Sequence, residues 1–312
     1  MSLGSRNIRA LLVSPLKRSV WLTFGALCLL SSSAWVAEPF GASTLPSLER
    51  QGLLYFVLGI AGVLFSSRSS LLRTKQQPWT GTALASLGFF AIPALAIEFA
   101  SGAVPEITRS ALFAMVPIVV VVVLTAVEAG GPAEQNARRS LAPALVGLGG
   151  LLLLLPLSFT NSPRGNARIA VICTAVILVG IASVWLYRLL PQFELSDAVA
   201  VVCLANAVLL LICAWTSGAV VWDRSSVLSL LSWSSLVDVI EVLLLLWLLR
   251  RMPPVQFASR YLIIPLLTVL EAYVLLRPEL TLRIGAGAIL LATGAGSLLL
   301  QHPAEDEVVS LR

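Results

Sequence analysis

Four ionisable residues within long apolar stretches of this sequence are spaced so that they could act together: Asp238, Glu241, Arg260 and Glu271. At 100° per residue, Asp238 and Glu241 fall within about 60° of one another on one helix. Arg260 and Glu271 are about 20° apart on the next helix. A charged side chain inside an apolar helix is costly and usually marks a solute or ion pathway. We therefore expect these residues to line a substrate-binding site between two helices.

The distance of each residue from a helix turn predicts which of them meet. At about 1.5 Å of rise per residue, Arg260 lies level with Glu241 across one hairpin. The same count places Arg109 one turn from Glu98 across another hairpin. We expect two carboxylate–arginine pairs. Each pair either fixes helix packing or belongs to a cavity, and the deeper Glu241–Arg260 pair favours the cavity.

Three further residues complete the predicted substrate-binding site: Thr268, Pro117 and Pro265. Thr268 flanks the polar stripe of its helix. Each proline removes a hydrogen bond in mid-helix, which either exposes carbonyl groups to a cavity or bends the helix.

The proposed site has chemistry for an amphipathic solute. An arginine can bind a carboxylate through two parallel hydrogen bonds, so an amino acid-like solute fits the pattern. Two carboxylates and one arginine leave one acid without a partner. Such an acid could be protonated and could couple proton movement to transport.

Composition excludes a soluble protein. The chain is 58% hydrophobic and only 12% charged, about half the charged fraction of an ordinary globular domain. Its basic residues form short clusters at the ends of apolar segments, which argues against a nucleic-acid partner. With His302 as the only histidine and four cysteines without paired spacing, we expect no metal, no cofactor and no catalytic residue.

Ten apolar segments predict an all-α integral membrane protein, because a helix needs about 20 apolar residues to cross the hydrocarbon. The segments are Ser19–Ala37, Ser47–Ser67, Thr80–Ala100, Pro105–Val127, Leu141–Thr160, Ala167–Leu190, Ala198–Ser217, Ser226–Leu249, Pro254–Leu276 and Leu280–Gln301. The first could instead be a signal peptide cleaved near Ser32-Ser33-Ala34. The apolar run continues through Trp35 and Val36, which favours a retained span.

The distribution of basic residues predicts the orientation. If the N-terminus is cytoplasmic, thirteen Lys and Arg residues lie in inside segments and seven in outside segments. This bias predicts that both termini are cytoplasmic. The expected location is the cell membrane, as a multi-pass protein of the bacterial inner-membrane type.

Two short stretches match at a fixed offset of 148 residues. Val104-Pro105 corresponds to Met252-Pro253, and Pro117 corresponds to Pro265. Five spans in each half is an odd number, so the second half must be inverted relative to the first. We therefore expect two five-helix repeats, residues 1–163 and 164–312.

Two stretches carry a family resemblance. Ala258–Leu300 has a central proline, an apolar run, an acid before a Leu-Thr pair and a Gly/Ala-rich helix, and Ala111–Glu128 ends in an acid. They resemble the ninth, tenth and fourth helices of the drug/metabolite transporter superfamily, in its EamA-like branch. The resemblance implies a secondary transporter of small organic solutes that works by alternating access. It also implies a homodimer through the last helix of each repeat.

The last segment carries small residues at every fourth position, Ala288, Ala292 and Gly296. Such a ridge allows close helix contact, either in that dimer or within one chain.

Two other functions fit an apolar chain of this kind. One is a membrane-embedded enzyme acting on lipid or polyprenyl substrates, although the sequence has no Asp-rich metal motif and its loops are short. The other is a lipid-linked sugar flippase of the same superfamily.

Overall fold

The computed structural model describes residues 15–34, 45–66, 78–127, 132–155, 163–218, 233–276 and 281–301. All regular structure in these ranges is helical. A helix lies in each of the ten predicted apolar segments. The helices are α1 (Pro15–Ser32), α2 (Ser47–Phe65), α3 (Trp79–Ala100), α4 (Glu106–Phe113 and Val116–Val127), α5 (Pro132–Leu154), α6 (Pro163–Leu189), α7 (Leu195–Thr216), α8 (Trp233–Leu249), α9 (Pro254–Ala258 and Arg260–Leu276) and α10 (Leu282–Leu300).

Seven of these helices are long and apolar enough to cross a membrane: α2, α3, α4, α6, α7, α9 and α10. Of the others, α8 has only 17 described residues, while α1 and α5 begin with charged or polar turns. The bundle also exposes large apolar side chains, with Leu64, Phe65 and Leu282 at 77%, 82% and 93%. Lipid, not water, suits such a surface. The chain is therefore a multi-pass α-helical membrane protein, as its composition predicted.

Prolines immediately precede four helices, Pro78 before α3 among them, and three of them share one conformation. Pro46, Pro105 and Pro253 stand immediately before α2, α4 and α9, with φ between −53° and −55° and ψ between 143° and 145°. Proline fixes this extended conformation and has no N–H to leave unbonded at a helix start. Between α3 and α4 the chain reverses at Gly102, whose φ of 74° favours glycine because it has no Cβ.

Helices α5 and α10 pack backbone against backbone. A Cβ at Gly294 of α10 would lie only 2.6 Å from the carbonyl oxygen of Pro143 in α5. Gly287 faces the carbonyl of Gly150 in the same way. Small residues let two membrane helices approach this closely.

The predicted ridge of Ala288, Ala292 and Gly296 does not make this contact. Ala292 is exposed, and nothing lies within 4 Å of a Cβ placed at Gly296. The contact uses the neighbouring face of α10 instead, so the alternative that the ridge packs within the chain is wrong. A dimer through it stays a prediction.

Helices α2 and α7 form the second close pair. Gly52 and Gly59 of α2 face the side chains of Leu211 and Leu204, and Gly62 faces the backbone of Ala200. Further contacts join α6 to α3 and α4, and α1 to α8 and α9. Contacts of similar extent join α3 to α7, α4 to α5, and α9 to α10. These helices enclose one apolar core, and the polar side chains that reach it form the candidate site.

The α5–α10 contact predicts opposite outcomes for two glycines on one helix. Gly294→Ala should lower the thermal unfolding temperature, because the added methyl group overpacks the interface at a cost of about 1–3 kcal/mol. Gly296→Ala should leave that temperature unchanged or raise it, since alanine favours a helix by up to about 1 kcal/mol over glycine. Unfolding of both variants in detergent measures the difference. Equal unfolding temperatures would contradict the packing described.

Candidate functional site

Arg260 is buried in the bundle, with 7% of its surface exposed. Its position follows from an interruption in α9. The short helix Pro254–Ala258 ends at Ser259, whose carbonyl accepts hydrogen bonds from the N–H groups of Leu262 and Ile263 at 2.9 and 3.0 Å. Arg260 therefore begins the longer part of α9, and its side chain reaches toward α3.

Three aromatic rings surround the Arg260 guanidinium. Its central carbon lies 4.4 Å from the ring centre of Phe257, 4.6 Å from that of Tyr261 and 5.1 Å from that of Phe89. All three distances are within the range of attraction between a cation and an aromatic face. One guanidinium N–H also donates to the Tyr261 hydroxyl at 2.7 Å. These contacts hold the side chain in a single orientation.

The positive charge of Arg260 has no described counter-ion. The one ion pair among the described residues joins two other side chains, and the buried Nε of Arg260 has no hydrogen-bond partner there. A charge in this environment costs several kcal/mol unless it is paired. Aromatic rings offset part of that cost and leave N–H groups available to an anion.

A π-helical turn positions one wall of this cage. Leu87–Ala91 of α3 is a π-helix, and four of its residues, Gly88 to Ala91, are buried. Phe89 lies against Arg260, while the adjacent Phe90 packs edge-on against Tyr55 at 6.0 Å between ring centres. Single π-turns inside α-helices occur frequently at functional sites.

Asn206 of α7 satisfies the polar groups of this turn. Its side-chain oxygen accepts the Ala91 N–H at 3.0 Å, and its amide donates to the Ser86 hydroxyl at 3.1 Å and to the Val202 carbonyl at 2.7 Å. Asn206 is fully buried. A buried asparagine with three hydrogen bonds fixes the π-turn, and hence Phe89, in place.

The carboxylates of Glu241 and Glu271 are bound by neighbouring serines at the end of α1. Ser31 donates to Glu241 on α8 at 2.7 Å, and Ser32 donates to Glu271 on α9 at 2.6 Å. Two adjacent hydroxyl groups thus join three helices through acidic side chains.

The other two acids pair near one end of the bundle. Asp238 forms an ion pair with Arg50 of α2 at 3.3 Å, where both side chains are partly exposed. Glu98 accepts a hydrogen bond from Ser47 at 2.6 Å.

Both predicted carboxylate–arginine pairs are wrong. Glu241 is bound to Ser31 while Arg260 lies in its aromatic cage, and Arg109 donates to the Ile97 carbonyl at 3.3 Å while Glu98 binds a serine. Counting residues from a turn gave the level of each side chain along the bundle. Which partner a side chain meets also depends on the direction in which it points around its helix axis. Counting residues from a turn does not give that direction.

The remaining predicted residues have different surroundings. Thr268 donates to the Ile264 carbonyl of its own helix at 3.0 Å. Pro117 stands in the first turn of the second part of α4, just after the interruption at Ala114 and Met115, where its missing N–H costs no hydrogen bond. Pro265 lies inside α9 and removes the donor that would have bonded the Tyr261 carbonyl.

A cavity of about 240 Å³ opens between α3, α4 and α9. Of the seven predicted site residues, it includes Pro265. It is lined by Ile97, Arg109, Ser110, Phe113, Tyr261, Ile264 and Pro265. Tyr261 belongs both to this cavity and to the cage, so the cavity adjoins the Arg260 site.

A larger groove of about 510 Å³ lies between α3 and α6. Its lining has no charged residue, and its one hydroxyl, on Thr174, bonds to the Ala170 carbonyl. Lipid chains suit this groove better than a polar solute does.

Sequence reasoning missed Ser31, Ser32, Asn206 and the aromatic cage. Asn206 carried a usable signal, because an amide in the middle of an apolar segment needs a buried partner. The aromatic residues of the cage gave no such signal in the sequence, since Phe and Tyr are common in apolar helices.

The Ser31–Glu241 contact predicts energetic coupling. In a double-mutant cycle of Ser31→Ala and Glu241→Leu, unfolding free energies should show an interaction of about 1.5–3 kcal/mol, the value of a hydrogen bond to a charged group. Ser33→Ala is the matched control, because its hydroxyl bonds only to the Leu29 and Leu30 carbonyls. If the effects of Ser31→Ala and Glu241→Leu on the unfolding free energy simply add, as those of Ser33→Ala and Glu241→Leu should, the contact does not stabilise the protein.

Comparison with known proteins gives a fold and no family. No family model and no curated protein matches the chain, whereas 17 chains of solved structures do. One of these, described only as the crystal structure of a protein, has a TM-score of 0.68 at 20% sequence identity, over 91% of this chain and 98% of that chain. At that identity the two proteins share a fold, and the function must be argued from the site itself.

Proposed function

We propose that this protein is a secondary-active transporter of a small organic metabolite, with amino acid-like solutes among the candidates. It would work by alternating access in a bacterial inner membrane, with both termini cytoplasmic. The single observation that carries the proposal is Arg260. A buried cation that no described acid neutralises is a functional site by default in a membrane protein.

The proposal uses a plan of ten spans in two inverted five-helix repeats, residues 1–163 and 164–312. The helix contacts support it. The two close pairs, α2 with α7 and α5 with α10, each join a helix to the one five places later. The contacts of α6 with α3 and α4 correspond, under the same shift, to those of α1 with α8 and α9. A two-fold relation between the halves produces this pattern, and transporters of the drug/metabolite type are built on such repeats.

The interruptions in α4 and α9 also favour a transporter. Both are the fourth helix of their proposed repeats, and each has a short interruption, at Ala114-Met115 and at Ser259. The backbone of Ala114 and Ser259 stays in the helical region. Interrupted helices that line a cavity are typical of transporter binding sites.

The carboxylates supply the second half of the proposed site. Glu241 and Glu271 lie on α8 and α9, and each accepts a hydrogen bond from a serine hydroxyl of α1. Each can accept a proton. Movement of α1 relative to α8 and α9 would break both serine contacts together, which would couple binding of a proton to a change of conformation.

Arg260→Lys tests the transport function. A thermal-shift screen first identifies the metabolite that raises the unfolding temperature most, since a ligand that binds the folded state stabilises it. Uptake of that labelled metabolite into proteoliposomes under a pH gradient should then fall at least about tenfold in Arg260→Lys, because lysine lacks the planar fork. The unfolding temperature should change little.

Arg139→Lys, at an exposed position on α5, is the matched control and should transport normally. Mass spectrometry of the recovered solute separates transport from catalysis. A chemically altered product would favour the membrane-embedded enzyme, and translocation of lipid-linked sugar alone would favour the flippase. Undiminished uptake by Arg260→Lys would contradict a substrate-binding role for Arg260.

A further inference from the structure

We infer that the cavity between α3, α4 and α9 binds a small organic monoanion with an apolar body, and that Arg109 holds its anionic group. The inference names a substrate class for the transporter and rests on the proposed function for its biological role. Binding at the cavity can be measured separately from transport.

Arg109 has more hydrogen-bond donors than it has described acceptors. A guanidinium carries five N–H groups, and the contact it makes is a long hydrogen bond of 3.3 Å to the Ile97 carbonyl. Its Nε is buried and has no partner among the described residues. The planar fork of arginine matches the two oxygens of a carboxylate. Arg109 can therefore bind an anion in the cavity without giving up an existing ion pair.

The rest of the cavity suits an apolar group of about the size of one ring. Phe113 and Tyr261 are nearly parallel, with ring centres 6.4 Å apart and planes inclined by 18°. Ile264 and Pro265 line the same space. A volume of about 240 Å³ is below the roughly 300–1,000 Å³ of sites for drug-sized ligands. The ligand is therefore a small one.

The charges around the cavity favour an anion over a zwitterion. Among the residues whose side chains the structure describes, no carboxylate lines it. Glu98, which follows Ile97 in α3, binds Ser47 of α2. Glu241 and Glu271 are bound to α1. An ammonium group in the cavity would meet no acidic partner among these residues and would lie beside Arg109.

Arg260 adds to this selectivity. Its N–H donates to the Tyr261 hydroxyl, and the Tyr261 ring lines the cavity. Two cations thus flank one apolar space, and no described acid forms an ion pair with either. Like charges that converge on a low-dielectric cleft raise the local concentration of the opposite ion.

A charge series on one carbon skeleton tests this inference. The probes are 3-phenylpropionate, 3-phenylpropan-1-ol, 3-phenylpropan-1-amine and phenylalanine, with binding to the detergent-purified protein measured by calorimetry. We expect 3-phenylpropionate to bind at least about tenfold more tightly than each of the others, since one charge-assisted contact is worth that factor. Equal affinities of the acid and the alcohol would overturn the inference, and so would preference for phenylalanine.

Arg109→Met should lower the affinity for 3-phenylpropionate to that of the alcohol. Arg168→Met is the matched control, because Arg168 is an arginine that lies over the ring of Phe99, at 5.7 Å, and is not among the residues that line the cavity. Unchanged binding in Arg109→Met would overturn the inference. The comparison of the four probes on the unmodified protein decides the question even if Arg109→Met fails to fold.

Failure of transport and failure of this inference give different results. If 3-phenylpropionate binds through Arg109 but no solute enters proteoliposomes, the anion site stands and the transport function fails. If a solute is transported while the charge series shows no preference for the anion, the transport function stands and the anion site fails.

Discussion

The structure depends on one constraint, a guanidinium held inside a bundle whose outer surface is apolar. Arg260 is buried and no described acid forms an ion pair with it, and three aromatic rings and one hydroxyl surround it. Two of these groups lie beside irregular backbone. Arg260 follows the short interruption of α9 at Ser259, and Phe89 belongs to the π-turn Leu87–Ala91. Asn206 then satisfies the amide at Ala91.

No described acid forms an ion pair with Arg109 or Arg260. Arg109 lines the space between α3, α4 and α9, and Arg260 donates to Tyr261, whose ring lines the same space. Glu241 and Glu271 instead accept hydrogen bonds from the serines of α1. Direct pairing of Glu241 with Arg260 would have neutralised both charges and stabilised a single closed state. Separation leaves each charge able to respond, the cations to an anionic solute and the acids to protons. In the function we propose, the arginines bind the anionic solute, and the acids couple its transport to proton movement.

The sequence predicted the helices well and the contacts poorly, for physical reasons. A long apolar run favours a helix, so a helix lies in each of the ten predicted segments, and seven of these helices are long and apolar enough to cross a membrane. Pro46, Pro105 and Pro253 mark three of the starts. The partner of a side chain depends on its direction around the helix axis. The break before Arg260 and the π-turn beneath Phe89 each change that direction, and neither leaves a clear mark in an apolar sequence.

The central claim is that Arg260 has no counter-ion in the solute-free protein, and the unfolding temperature of Arg260→Met tests it most directly. Methionine fills a similar volume without a charge. If the guanidinium is not neutralised, its burial costs about 2.5–3.5 kcal/mol or more, which outweighs the aromatic contacts that the variant loses. The account predicts that Arg260→Met, without solute, unfolds at the same temperature as the unmodified protein or higher. A loss of stability of about 3–5 kcal/mol, the cost of breaking a buried ion pair, would contradict it.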